Sequence, residues 1–363
     1  MKERIRRNLI NLMNIPGLSG FEDRIRKYLE EKLSLIGVET RSDRLGNLIA
    51  TFPGHDPSVM LFSHMDQLGF IVRKIEEDGF IRVERLGGVP EKVLPSQEVL
   101  ICVKEGADIP GVITNKSHHA TENDEKYQVL AYKDLYIDAG LKSLEEAEKM
   151  GIKIGDPTVY APRAFEIGQD RITGTSIDDR AGCTVCLEIA RYLSKREKGP
   201  TVHLVFTVQE EFNLRGALPI AQQLLPDIAI QLDLIMATDT PDMASRGNVK
   251  LGGGAAMSMY SFHGRGTLNG VIPHPKMVSL IDRTAHELNL SLQRSAHSGA
   301  LTDLSYVQLV GGGVASIDLG FPMRYSHSSL EVCDLNDLVG LSQLLIGALD
   351  RIDDSFSLER DNK

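Results

Sequence analysis

The 363-residue sequence contains no dense basic run, although it carries 40 Lys and Arg against 50 Asp and Glu, for a formal net charge of -10. Without such a run it has little means of releasing counterions from a phosphate backbone, so a nucleic-acid partner is not expected. No apolar stretch reaches the roughly 18 residues that a membrane span needs, which excludes a helical membrane protein. The first residues, "MKERIRRNLINLMNIPGLSG", place apolar side chains at helical spacing and never form the continuous core of a signal peptide. A surface helix over residues 1–13 of a cytoplasmic protein is expected. Cysteine is scarce. Cys102, Cys183, Cys186 and Cys333 include one C-x-x-C without a second pair, set inside the apparent helix "DDRAGCTVCLEIARYL", so buried small apolar residues are expected there rather than a metal finger or redox pair. Repeats and low-complexity tracts are also lacking, and the charged tail "SLERDNK" is short.

What is present is an ordinary globular composition, 42% hydrophobic and 25% charged, enough for one large domain or two moderate ones. The texture changes along the chain. Two amphipathic segments lead to the strand "VMLFSHMD". A Gly- and Pro-punctuated stretch of short apolar runs follows, interrupted by the single helix "SLEEAEKMG", as suits a small β-barrel. From "GTSIDDRAG" onward helices alternate with apolar strands: "CTVCLEIARYL", "TVHLVFTV", "ALPIAQQLL", "IAIQLDLIMA". The expected fold is α/β with an inserted barrel: residues 69–163 form the insert, and residues 1–68 with 164–363 form a discontinuous α/β domain.

In an open α/β sheet ligands gather beyond the carboxyl ends of the strands, and polar residues close several apolar runs there. His64 and Asp66 end "VMLFSHMD", Glu210 and Glu211 end "VHLVFTVQEE", Asp233 ends "IAIQLD", and His327 follows "FPMRYS". Asp178 and Asp179 stand just before a helix. Singly, each reads as a helix cap or a hydrogen-bonded side chain. Together, two imidazoles and several carboxylates at one sheet edge make a mixed nitrogen and oxygen donor set suited to a divalent metal, zinc above all. Adjacent glutamates then make sense: a cation neutralises Glu211 and leaves Glu210 as a base able to take a proton from water and pass it to a leaving amine.

In this order and with these neighbours, "HMDQLGF", "GVITNKSHH", "DLYIDAGLKSLEEAEKMGIKIGDP", "SIDDRAG", "TVQEEFNLRGA", "LDLIMATDTPD" and "RYSHSSLEV" resemble the M42 family of metallo-aminopeptidases, the glutamyl and deblocking aminopeptidases that form tetrahedral particles. The resemblance implies a zinc-peptidase-like α/β sandwich and two divalent ions per chain, zinc first, with cobalt or manganese as alternatives. It implies one ion held by His64 and Asp233, another by Glu211 and His327, and Asp178 bridging them. Asp66 would orient His64, and Glu210 would be the general base. It also implies short peptide substrates and homo-oligomerisation, dimers packing into a dodecamer, with the insert serving assembly rather than chemistry. Three departures from the family's habit bear on specificity. Phe212 and Asn213 follow the paired glutamates, where Asn can sustain a left-handed turn; Asp179 replaces an Asn; and Ala300 and Leu301 add bulk before Thr302 and Asp303. Arg324 has two open roles, contacting a substrate carboxylate or bracing its loop. His118, His119, His263, His274, His286 and His297 are expected to be structural. Two other readings remain open, an endoglucanase-type glycoside hydrolase and a non-catalytic assembly protein. The first requires two carboxylates flanking a glycosidic bond and has no need of histidines; the second would be marked by loss of Glu210 or of a ligand, and none is lost.

Overall fold

The structure, a computed structural model, describes residues 1–264 and 270–360; the last three residues of the charged tail lie outside the described residues. Apolar strands run through the centre of a large mixed sheet, in the order Leu48–Phe52, Pro200–Thr207, His55–His64, Ile228–Met236 and Ala315–Arg324. The last four of these are mutually parallel. Their inner residues are apolar on both faces, as parallel strands covered by helices require. The covering helices include Lys2–Met13 and Ile177–Leu193, with Pro275–Glu287 and Leu335–Leu349 completing the cover. The N-terminal helix buries Ile5, Leu9, Leu12 and Met13 in the main core, the stripe its periodicity announced. Leu335–Leu349 is capped by Asp334, whose carboxylate accepts the Asn336 N–H.

A second, separate core lies in a closed barrel of six short strands between Gly69 and Tyr160. It is built from Phe70, Val72, Ile81, Val99, Ile101, Ile137 and their neighbours. Closure removes the unpaired strand edges that such short segments would otherwise present. The expected helix in this stretch is Leu144–Lys149, with the Ser143 hydroxyl accepting the Glu146 N–H.

Register sets up the site. Thr207 pairs with His64, and Ile228 pairs with Val59 through to Gln231 with Phe62. The same offset continued places Asp233 level with His64. The Ile228–Met236 strand runs three residues past Asp233, so this aspartate does not end its strand, as the sequence suggested. It stands where the neighbouring strand stops at His64 and opens the space above it.

Candidate metal centre

One sheet edge gathers the candidates: His64 ends its strand, Asp233 lies within its own, Asp178 opens a helix, and Glu211 and His327 lie beyond the ends of theirs. His64, Asp178 and Asp233 each offer a ligand atom within 4.8 Å of the others, and Asp178, Glu211 and His327 do the same. Asp178 belongs to both groups, and Glu210 to neither. His64 Nε2 lies 3.0 Å from Asp178 Oδ1, while His327 Nε2 lies 3.6 Å from Asp178 Oδ2 and 3.7 Å from Glu211 Oε2.

The local backbone explains these placements. Ser176 adopts a left-handed conformation, and the chain passes Asp178–Asp179 through a cis peptide bond before regular helix begins. Asp179 then caps that helix: one oxygen accepts the Gly182 N–H at 3.0 Å and the other the Ser63 hydroxyl at 2.5 Å. It is fully buried, and burial pushes its pKa up to about 8. The side chain expected to bear on specificity is therefore turned into the fold, while Asp178 faces the centre. Beyond the Pro200–Thr207 strand, Gln209, Asn213 and Leu214 all take positive φ, so Asn213 carries the left-handed turn as its chemistry allows. His327 is left-handed too, at φ 66°.

Asp66 does more than face an imidazole. Its Oδ1 lies 3.4 Å from His64 Nδ1, outside good hydrogen-bond alignment, and that nitrogen has no other partner among the described residues. The same carboxylate accepts the backbone N–H of Glu210 at 3.0 Å and of Glu211 at 3.1 Å, as well as the Ser19 hydroxyl. Burial opposes its ionisation, but the His64 ring and these donors hold its pKa below the ordinary value. Other supports escaped sequence reasoning. The buried Glu331 accepts the Asp178 N–H on one oxygen and the His327 N–H on the other, at 3.1 and 2.9 Å. Gln231 donates to Asp233 Oδ2 and accepts the Leu304 N–H; its only sequence signal is an amide inside an apolar strand. The inserted barrel also reaches the centre, since His327 Nδ1 lies 3.0 Å from the Gly88 carbonyl. A Cβ on Gly88 would meet that ring at 2.8 Å, so only glycine leaves the imidazole room. Arg324 forms a two-point ion pair with Asp239, at 2.7 and 2.8 Å. Of its two roles, this geometry provides a partner for the bracing one.

The donor set fits divalent cations. Burial and the neighbouring carboxylates push the pKa of Glu210 and Asp233 well above the ordinary value and that of Glu211 to about 7. Burial pulls the His64 imidazole down, but Asp178 and Asp66 more than offset it and leave it raised; His327 likewise rises to about 9 beside Glu211 and Asp178. Negative charge crowded out of water in this way is the condition that a cation relieves, and imidazole with carboxylate is the donor chemistry zinc accepts.

The four cysteines are all buried. Cys183 donates to the His64 carbonyl, a packing role.

Comparison with known proteins places the chain among aminopeptidases. A lysyl aminopeptidase of Pyrococcus furiosus is 30% identical over 345 residues, covering 94% of this chain and 95% of the relative. An aminopeptidase structure from the archaeon Desulfurococcus kamchatkensis, APDkam598, superposes with a TM-score of 0.89 at 34% identity over 96% of this chain and 95% of that one. The Pyrococcus horikoshii TET1 peptidase, described as able to assemble into a tetrahedron or a large octahedral shell, gives a TM-score of 0.85 at 27% identity over 95% and 99% of the two chains. The model of the M42 glutamyl aminopeptidase family matches residues 46–344, and the chain belongs to this family of peptide-bond hydrolases.

Proposed function

We propose that the protein is a two-metal aminopeptidase that removes N-terminal residues from short peptides. His64, Asp178 and Asp233 would hold one ion and Asp178, Glu211 and His327 the other, zinc first and cobalt or manganese as alternatives. Bound there, such ions supply Lewis acidity, polarising a carbonyl and making water acidic enough to ionise near neutral pH. The observation that carries the reading is the pair of ligand groups sharing Asp178, with Glu210 beside them and in neither.

This separation supports Glu210 as the base. Its neighbour Glu211 is committed to a ligand group, whereas Glu210 is buried at 8% exposure and keeps its carboxylate for proton transfer. Desolvation and the neighbouring carboxylates raise its proton affinity; a cation in the centre would offset that repulsion and leave a carboxylate able to take a proton from water and return it to the departing amine. Asp66 holds the backbone of both glutamates while facing His64, so that base and ligand share one frame. In the same reading residues 69–163 form the assembly insert of a cytoplasmic homo-oligomer, dimers closing into a dodecamer, and residues 1–68 with 164–363 form the peptidase domain.

Elemental analysis tests the ligand set, with close to two divalent ions per chain expected. Glu210→Gln should retain metal and lower turnover by roughly two to four orders of magnitude, while Glu211→Gln should lose metal. Full peptidase activity after exhaustive chelation would overturn the reading, and exchanged effects of the two substitutions would reverse the roles. Size exclusion with light scattering tests assembly, which a strictly monomeric active enzyme would refute.

A further inference from the structure

The match to the family begins at residue 46, yet a segment before it is built into the catalytic frame. Glu22 is a buried carboxylate, 5% exposed. It precedes the helix Asp23–Ser34 in the capping position, but its side chain caps none of that helix's N–H groups. Its Oε1 instead turns back to accept the Gly20 N–H at 2.6 Å and, across 187 residues of sequence, the Gln209 N–H at 3.1 Å. Gln209 sits at φ 56°, a conformation that side-chain-bearing residues avoid unless their surroundings hold them there. Glu210 comes next.

Three consecutive amides are thereby donated to buried carboxylates: Gln209 to Glu22, Glu210 to Asp66 Oδ1 and Glu211 to Asp66 Oδ2. The segment that supplies Glu22 is itself fastened to the Asp66 loop. Ser19 N–H donates to the Gln67 carbonyl, Gln67 N–H to the Gly17 carbonyl, and Gly17 N–H to the Gln67 side chain, at 3.1, 2.9 and 3.0 Å. The Ser19 hydroxyl completes the tie by donating to Asp66. Beneath it lies the fully buried Arg180, donating to the same Gln67 oxygen at 3.3 Å. Two of its other nitrogens have no partner among the described residues, and Asp66, Glu22 and Asp179 are among the groups whose field bears on its guanidinium.

We infer that Glu22 is a positioning residue for Glu210, clamping the left-handed Gln209 so that the base projects toward the metal centre, and that the Gly17–Glu22 segment belongs to the catalytic apparatus. The inference rests on the reading of Glu210 as the base. A carbonyl oxygen at the same place would serve as well as a carboxylate, because the clamp is an acceptor of fixed position.

Three substitutions in the full-length, metal-loaded protein separate this role from a merely structural one. Glu22→Ala removes the acceptor, Glu22→Asp keeps the carboxyl group but withdraws the acceptor by one methylene, and Glu22→Gln keeps an acceptor oxygen at the same reach. For Glu22→Ala and Glu22→Asp we expect kcat to fall about ten- to a hundred-fold, the scale of a misplaced catalytic group. KM should stay within about twofold, metal content should equal that of the wild type, and amide exchange across residues 207–214 should accelerate. Glu22→Gln should stay close to the wild type in all four readouts. If Glu22→Ala does not fold, Glu22→Asp decides alone. The inference is overturned if Glu22→Asp leaves kcat and exchange unchanged, if its kcat loss is matched by loss of metal, or if Glu22→Gln is as impaired as Glu22→Asp. A fully active Glu210→Gln enzyme would instead remove the reading on which the inference stands.

Discussion

Substituting Gly88 by alanine probes whether the inserted barrel takes part in the chemistry. Gly88 does not need the left-handed backbone that glycine adopts freely, unlike Gly87 at φ +88°, so alanine is tolerated by the chain itself. The added methyl, however, would stand 2.8 Å from His327 Nδ1 and 2.9 Å from its Cε1. To regain ordinary contact the ring must retreat by roughly 0.6 Å. It cannot do so without stretching its 3.0 Å contact to the Gly88 carbonyl. Metal-ligand distances tolerate only about 0.2 Å, and loss of a ligand's outer support typically lowers metal affinity about 10- to 100-fold. In the proposed two-metal reading the loss should fall on the ion held by Asp178, Glu211 and His327 and spare the one near His64. Dialysis against graded chelator followed by elemental analysis should show one ion per chain leaving G88A at concentrations that the wild type withstands. Peptidase activity on an aminoacyl chromogenic substrate should fall in parallel at limiting metal and recover in excess metal. Gly312→Ala, where a methyl meets nothing within 4 Å, is the control. Wild-type metal retention and activity in G88A would refute the argument that the insert holds His327 in place.

Other outcomes follow from the same geometry. Asp66→Asn leaves three donors, the Glu210 and Glu211 amides and the Ser19 hydroxyl, facing an amide with one oxygen; stability should drop by about 2–4 kcal/mol in urea denaturation and metal affinity should fall with it, and unchanged values of both would contradict the hub role. Burial raises the thiol pKa of Cys102 and Cys183 to about 12 and pushes Cys186 and Cys333 up as well, so a thiol reagent at pH 8 should label none of the four in the native protein and all four after unfolding; rapid native labelling of any one would be inconsistent with its packing. Gly340, inside the helix Leu335–Leu349 with open space around it, should stabilise the protein by about 0.5–1 kcal/mol when replaced by alanine, read as an upward shift in melting temperature.

The sequence by itself determined the period of each element and the chemistry at the strand ends. Alternation of helices with apolar runs is enough for parallel layers, because buried strands and amphipathic helices have different spacings of apolar residues. The candidate residues could be named from sequence because polar side chains stand at or near the ends of such runs, where an open sheet gathers ligands. Tertiary structure alone decided how those ends are held. The order and register of the strands bring Thr207, His64 and Asp233 to one level, and no local pattern specifies which strands become neighbours. Nor does any spacing reveal that Asp66 receives the amides of Glu210 and Glu211, that Glu331 spans Asp178 and His327, or that Arg324 is engaged by Asp239. Asp178 and Asp179 are adjacent and chemically identical, yet one faces the centre and the other caps a helix. Periodicity reports what a residue buries, whereas the direction of a polar side chain is set by the donors that remain unpaired around it once distant segments have packed.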